Sequence, residues 1–328
     1  MLKVEVLFEH GLDQRPHGCS YIRLLLPLTH PTNQDAFNIL PGTSYQGGTE
    51  VVIVERTWRP ERVSLRMVEA LVRRVRRDGA RLIYTIDDNL LDLRPWSLVH
   101  RGLTPDEKMV VRYLAREADG VIVSTEALKA RLARLNPRVA VVPNALDERL
   151  FDAGVPGSNG VQDSGRKVIG FMGTFSHDAD LMMILQALRA TLRRHPDALE
   201  LQLVCGVADA AVLRAFEGLP LRVLELTGQN EYPTFVRWMT STLRWDLAIA
   251  PLEDNPFSRC KSDIKFLDYG ALSIAGIYSR VPAYKQTVRH LETGYLAENT
   301  PEAWAELKAE VRARIEKRRR AKLSRKKA

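Results

Sequence analysis

The chain has 328 residues, 45% hydrophobic and 27% charged, with a formal net charge of +8 at pH 7; this is the make-up of an ordinary globular protein with room for two domains. No apolar run reaches the roughly 18 residues of a membrane span, and the opening MLKVEVLFEHGL lacks the basic start, long apolar stretch and cleavage site of a signal peptide, so a cytoplasmic protein is expected. Cys19, Cys205 and Cys260 are odd in number and unpaired in sequence, which argues against a disulfide framework and a zinc site.

In chain order, KVEVLF, EVVIVE, ARLIYTI, GVIVS and VAVVP are short runs rich in Val and Ile, the length of buried parallel strands. Between them ERVSLRMVEALVRRVRR and TPDEKMVVRYLAREA have helical periodicity, with Thr104 as N-cap and Pro105 at the first helical position. Alternation of this kind predicts a doubly wound α/β domain over residues 1–150. The stretch DAGVPGSNGVQDSGRK, rich in Gly, Ser and Asp, predicts a linker over 151–165. A second α/β series, over 166–300, has VIGFMG, LELQLVCG, LRVLELTG and DLAIAPL as strands and DADLMMILQALRATLRRH and EYPTFVRWMTST as helices. Over 301–328, Trp304, Leu307, Val311 and Ile315 mark an amphipathic helix, followed by a basic tail. Residues 314–328 hold nine Lys and Arg against one Glu, so the body is close to neutral and specific nucleic-acid binding is not expected. Two Rossmann-like domains facing a central cleft would take ligands at the carboxyl ends of their strands.

Three places could carry chemistry. In VIGFMGTFSHDADL a strand ends at Gly173, and a tight turn with Thr174, Ser176 and His177 leads into a helix whose free amides suit an anion; His177 alone reads more readily as a cap or surface residue than as a catalyst. In YTIDDNLLDL, Asp87 and Asp88 follow a strand and could bind a divalent metal, act as acid and base, or cap the next helix. In RCKSDIKFLDYGALSIAG, helical spacing puts Lys261, Lys265 and Asp268 within roughly 60° of one another, beside a packing face of Ile264, Leu267 and Ala271. Taken alone, that charged face reads as solvated, with a surface Lys265 to Asp268 pair.

The ordered series YTIDDNLLDL, ADGVIVSTEALKARL, VVPNALDERLF, GFMGTFSHDADL, WDLAIAPLEDNPFSRCKSDIKFLDYGALSIAGIYS and ETGYLAEN, over about residues 80 to 300, resembles the GT-B retaining glycosyltransferases related to glycosyltransferase family 4, in the branch of bacterial surface-polysaccharide clusters. The resemblance implies transfer of a sugar from a nucleoside-diphosphate donor to a glycan or lipid-linked acceptor, without a metal or other cofactor. It implies that Lys261 and Lys265 neutralise the diphosphate, that Gly173, Thr174, His177 and Ser262 help hold the donor, and that Asp268 takes the ribose hydroxyls. It places the acceptor in the first domain, where HGCSY, with Gly18 and Ser20, stands for the family's Gly-rich loop, and it allows Asp87 or Asp88 an acid/base part. Two departures stand out: the first Glu of the family's E-x7-E signature falls on Cys260, and the second is shortened to Asp268. A GT-B sugar-nucleotide epimerase and a non-catalytic nucleotide-sugar or glycan-binding subunit are the competing readings. The basic tail is expected to meet anionic membrane surface.

Overall fold

The computed structural model describes residues 1–60, 62–93, 102–151, 165–173, 177–204, 210–226, 228 and 231–304. Most of the expected linker and the whole basic tail lie outside these residues, and so does Thr174.

The first sheet is parallel throughout, in the order β2-β1-β3-β4-β5-β6. Its strands are β1 (Leu2–Leu7), β2 (Phe37–Gly42), β3 (Val51–Glu55), β4 (Arg81–Ile86), β5 (Gly120–Val123) and β6 (Val139–Val141). Five of the six match the Val- and Ile-rich runs. Strand β2, FNILPG, carries a proline and pairs only with β1, at the sheet edge, where a missing N–H is tolerated. The chain leaves β1 for β2 on one side and returns to β3 on the other, so the carboxyl ends of β1 and β3 form the switch point of this sheet.

Two helices cover the sheet because their apolar residues recur at helical spacing. Leu65–Arg77 buries Val68, Leu71, Val72 and Val75, and Pro105–Glu117 buries Val110, Val111 and Leu114. These pack with Val52, Val54, Leu82, Tyr84, Val121 and Val123 in one core, where each such aliphatic side chain contributes about 1.5 to 3 kcal/mol. Ser64 caps the first helix, and Thr104 with Glu107 forms a reciprocal capping box on the second.

The second sheet, also parallel, runs β12-β11-β10-β7-β8-β9. It comprises β7 (Lys167–Met172), β8 (Leu199–Val204), β9 (Leu221–Leu224), β10 (Leu247–Ala250), β11 (Gly276–Ser279) and β12 (Tyr295–Ala297). Strands β11 and β12 are four and three residues long, too short to show a periodicity. The switch point here lies between β7 and β10. Gly170 in β7 makes room for Trp245, since a Cβ there would fall 1.7 Å from the indole ring and force it to shift. The single helix expected after Gly173 is two, Asp178–Met183 and Leu185–Arg194, parted at Ile184.

By contacts the chain forms two compact units. The first takes Met1–Gln162 together with Leu226–Arg244 and Asp254–Ser273; the second takes Asp163–Glu225, Trp245–Glu253 and Ile274–Ala328. Two segments from within the 166–300 stretch thus group with the first sheet.

Candidate active site

At the switch point of the first sheet, the residues just past β1, β3 and β4 bring opposite charges together. Arg56, directly after β3, has a left-handed backbone (φ 47°), which a non-glycine residue rarely adopts without compensation. The compensation is visible. Its Nη1 donates to Asp87 Oδ1 at 2.6 Å and to Asp88 Oδ2 at 3.3 Å. Its Nε lies 2.8 Å from Glu9 Oε2, an ion pair not aligned as a hydrogen bond, and its carbonyl accepts from the Tyr84 hydroxyl. Lys261 Nζ approaches Asp88 Oδ1 at 3.5 Å and lies over the Phe257 ring.

Asp87 and Asp88 therefore do not cap a helix: the 3-10 turn that follows has Asn89 at its cap, without a side-chain bond. Burial works against ionisation of Asp88, but Lys261 and Arg56 outweigh it and hold the carboxyl below its usual value. Burial likewise opposes the charge on Glu9, and Arg56, His17 and Thr57 bring it down to about 2. Glu55 goes the other way: burial and the neighbouring Glu9 push it up to about 7 against a hydrogen bond from Ser20. One site thus holds carboxylates fixed as anions and one carboxyl poised near neutrality.

Of the two residues expected to meet the acceptor, Ser20 is fully buried and donates to Glu55. Gly18 opens a helical stretch, with nothing within 4 Å of where its Cβ would be. The stretch includes a π-helical turn, Tyr21–Leu25, that carries Arg23. Arg23 Nη1 donates to the Val142 carbonyl and to Asn144 Oδ1, and Asn144 Nδ2 donates to Ser262 Oγ at 2.8 Å.

The charged helix differs from the expectation in two respects. Lys261 is not on it; helical bonding starts at Ile264, and Lys261 is extended, with ψ 153°. The face is also inverted. Lys265 and Asp268 are 8% and 6% exposed and Tyr269 is buried, whereas Ile264 and Leu267 are half-buried and Ala271 is exposed. The solvated-face reading is overturned. Asp268 Oδ1 is buried with no hydrogen-bond partner; burial raises the carboxyl to about 7 although Lys265 pulls it down. The Tyr232 hydroxyl is also buried and unpartnered, and burial, Asp268 and Asp147 push its phenol up. Cys260, at the first signature position, packs into the core of the first unit.

In the second unit, Gly173 directly follows β7. A Cβ there would lie 3.1 Å from the Phe171 ring and 3.2 Å from His177 Cβ, so any side chain would crowd the turn. His177 is neither a surface residue nor a side-chain cap. It is buried, and its Nδ1 lies 2.6 Å from Asp180 Oδ2, while Asp180 Oδ1 accepts from the Glu253 amide at 2.7 Å. The amide of Leu252 donates to Ser279 Oγ at 2.8 Å. These bonds tie the start of the helix Asp178–Met183 and the end of β11 to the segment just past β10.

The structure thus joins Asp87 and Asp88 through Arg56, Lys261 to Asp88, and Lys265 to Asp268, in the first unit; Gly173 and His177 belong to the second. Sequence reasoning missed Glu9, Glu55, Arg56, Arg23 and Tyr232. A signal for Arg56 existed: it follows β3 as Asp87 follows β4, and residues just past parallel strands face the ligand end of such a sheet. Among the described residues, the grouping with metal-ligand spacing is His30, Asp147 and Glu148, which includes neither Asp87 nor Asp88.

No family model and no curated protein matches the chain. Solved structures do. Sucrose-phosphate synthase from Thermosynechococcus elongatus is 14% identical, with 96% of this chain and 90% of that one covered and a TM-score of 0.65. HepE from Anabaena, solved in complex with UDP-glucose, is 13% identical over 97% and 91% of the two chains, with a TM-score of 0.60. A putative UDP-N-acetylglucosamine 2-epimerase from Listeria monocytogenes is 12% identical over 94% and 87%, with a TM-score of 0.51. The fold is the GT-B class of two Rossmann-like α/β domains.

Proposed function

We propose that this chain is a glycosyltransferase that moves a sugar from a nucleoside diphosphate to a glycan or lipid-linked acceptor, with retention, in the making of a surface polysaccharide. The observation that carries the reading is Asp268. A carboxylate this deeply buried with an oxygen unpartnered costs stability, and a polar ligand offering hydroxyls, such as a nucleoside's ribose, would satisfy it. Lys265, one turn earlier on the same helix, supplies positive charge for the diphosphate. The fold shared with HepE, which was solved with UDP-glucose bound, agrees with such a donor. The sequence resemblance, and not the geometry, is the source of retention and of the polysaccharide setting.

Within this reading Asp87 and Asp88 position Arg56, and Asp88 also positions Lys261. Asp88, held below its usual pKa, is a poor proton acceptor at neutral pH. Lys261, Lys265 and Arg56 stabilise charge that develops on the departing diphosphate. The resemblance assigns Gly173, Thr174, His177 and Ser262 to donor binding and Gly18 to the acceptor side, whereas Ser20, fully buried, bonds Glu55 and does not itself meet an acceptor. No metal or cofactor is required.

The test is a panel of nucleotide sugars scored first by thermal stabilisation, where a ligand at 100 times its dissociation constant adds about 2.7 kcal/mol, and then by hydrolysis or transfer. Stabilisation by none of them overturns the reading. Stabilisation with no turnover favours the binding-subunit alternative. Conversion of UDP-N-acetylglucosamine to its 2-epimer would favour the epimerase alternative.

A further inference from the structure

Residues 255–262 cross the carboxyl ends of three neighbouring strands of the first sheet, β4, β5 and β6, in order. Asn89, just past β4, donates from Nδ2 to the Pro256 carbonyl at 3.2 Å. Thr125, just past β5, donates from Oγ1 to the Cys260 carbonyl at 2.9 Å. Asn144, just past β6, donates from Nδ2 to Ser262 Oγ at 2.8 Å. Successive parts of the segment thus meet successive strands, and all of them belong to the first unit.

Each of the three holding side chains is itself fixed from its own side. Asn89 Nδ2 also donates to Asp92 Oδ2 at 2.8 Å. Thr125 Oγ1 accepts from the Leu128 amide and so caps the helix Glu126–Leu132. Asn144 Oδ1 accepts from Arg23 at 2.6 Å. A bond made by a side chain that is already ordered loses less rotamer freedom, so these contacts hold the segment more firmly than mobile surface groups would.

The segment adds an apolar anchor. Cys260 is 6% exposed and packs in the same core as Leu128 and Leu132. A Glu at this position would bring a carboxylate into that core, which is costly, whereas Cys behaves there as a small hydrophobe. The departure at the first signature position therefore fits a change of task, from a polar contact to an anchor. Lys261 comes next in the chain; it is extended, reaches Asp88 Oδ1 at 3.5 Å and lies over the Phe257 ring, 4.6 Å from its centroid. The helix with Lys265 and Asp268 starts three residues later, at Ile264.

We propose that Thr125 and Asn144 are positioning residues of the donor site: by clasping residues 255–262 to the first sheet they set Lys261 against Asp88 before a nucleoside diphosphate arrives. The inference rests on the glycosyltransferase reading for the ligand; the clasp itself does not. A cation held in place in advance spends nothing on reorganisation when it meets the diphosphate.

The experiment has two readouts on the full chain. The first is alkylation of Cys260 by iodoacetamide under native conditions, followed by peptide mass spectrometry, which needs no ligand. The second is calorimetric affinity for UDP and for uridine, or for the diphosphate and nucleoside of whichever base the nucleotide-sugar panel selects. The variants are Thr125→Val, Thr125→Ser and Asn144→Leu. Ser64→Ala, which removes the cap of the helix Leu65–Arg77, controls for the cap that Thr125→Val also loses.

Thr125→Val and Asn144→Leu should each speed alkylation of Cys260 several-fold and weaken UDP about ten-fold, with uridine affinity unchanged, because Lys261 is displaced from the diphosphate and not from the nucleoside. Thr125→Ser should restore both readouts, and Ser64→Ala should move neither. Asn144→Leu touches no helix cap and keeps the test sound if Thr125→Val fails to fold. Alkylation no faster than in Ser64→Ala overturns the clasp. Equal loss of UDP and uridine affinity, or loss of neither, overturns the positioning role. A Cys260→Glu variant that folds as stably as the parent and binds UDP more tightly would overturn the anchor, since that position would then face the ligand. Failure of the unaltered protein to bind any nucleoside diphosphate counts against the transferase reading and is seen before a variant is made; the alkylation rates alone then decide the clasp.

Discussion

Replacing Asp268 by Asn should make the protein more stable and less able to bind its donor. The carboxyl is raised from 3.8 to about 7 by burial. Because the folded value lies above the unfolded one, the folded state holds the proton more tightly, and stability is lost as pH rises from about 4 through about 7. At about 1.4 kcal/mol per pKa unit, the full loss is bounded near 4 kcal/mol. Local relaxation and water entry would leave about half of that. Asn removes the charge at similar volume, so at pH 8 Asp268→Asn should gain about 2 kcal/mol, or roughly 4 to 8 °C in the melting temperature of a unit of this size. At pH 4 the gain should vanish. Glu55, also raised to about 7, adds the same trend to both proteins and cancels in the comparison.

The functional half of the prediction has the opposite sign. If Asp268 accepts hydrogen bonds from a donor's ribose as a charged group, its loss costs about 1.5 to 3 kcal/mol, a ten- to hundred-fold fall in affinity for UDP or the UDP-sugar found in the screen. Scanning calorimetry at pH 4, 6 and 8, beside titration with UDP, measures both. A variant that melts no higher at pH 8, or that binds donor as the parent does, would refute the account of Asp268 as a carboxylate kept buried for its ligand.

Four further outcomes are expected. Lys261→Ala should lower donor affinity about ten-fold and, because Asp88 then loses the cation that holds its pKa down, shift acid unfolding to higher pH; an unmoved acid transition would remove Lys261 from the cluster. Transfer activity should survive EDTA, since Arg56 and Lys261 already face Asp87 and Asp88; activity lost to the chelator and restored by a divalent ion would make these carboxylates metal ligands. Gly170→Ala should destabilise the second unit by about 1 to 3 kcal/mol through overpacking against Trp245, read as a lower melting temperature, and an unchanged one would mean that the indole moves aside freely. Deleting residues 314–328 should abolish co-sedimentation with anionic liposomes, in a salt-dependent manner, and equal binding by both forms would dismiss the tail as a membrane contact.

The strands of both sheets were legible wherever a run of four or more β-branched or apolar residues stood between turn signals. That rule found β1 and β3 through β6 and failed at β2, where Pro41 reads as a strand breaker until the strand is known to lie at an edge. The order of strands was not legible, because parallel pairing joins residues as far apart as Leu247 and Ile169 and leaves no local mark. Asp87, Asp88, Lys261, Lys265 and Asp268 were singled out as charges beside apolar runs. Glu9 and Arg56 passed unnoticed because each is one charge next to a strand, and only the sheet order brings them within 2.8 Å.

The helix Ile264–Ala271 shows what periodicity measures and what it does not. A helical wheel assigns the apolar stripe to the interior because burying apolar area is favourable and burying charge is costly. Here Lys265 and Asp268 are inside and Ala271 is out, so the ordinary preference has been overridden. A lysine and an aspartate on one helix face, three residues apart, would gain only a few tenths of a kcal/mol if solvated and far less than their desolvation costs when buried. The Lys265 to Asp268 attraction alone does not offset that cost, and Asp268 keeps an oxygen with no partner. A structure that bears this cost within the same unit as Arg56 and Lys261 has the character of a binding site, where stability is given up for ligand contacts. The inversion is therefore stronger support for donor binding than the wheel that first drew attention to these residues.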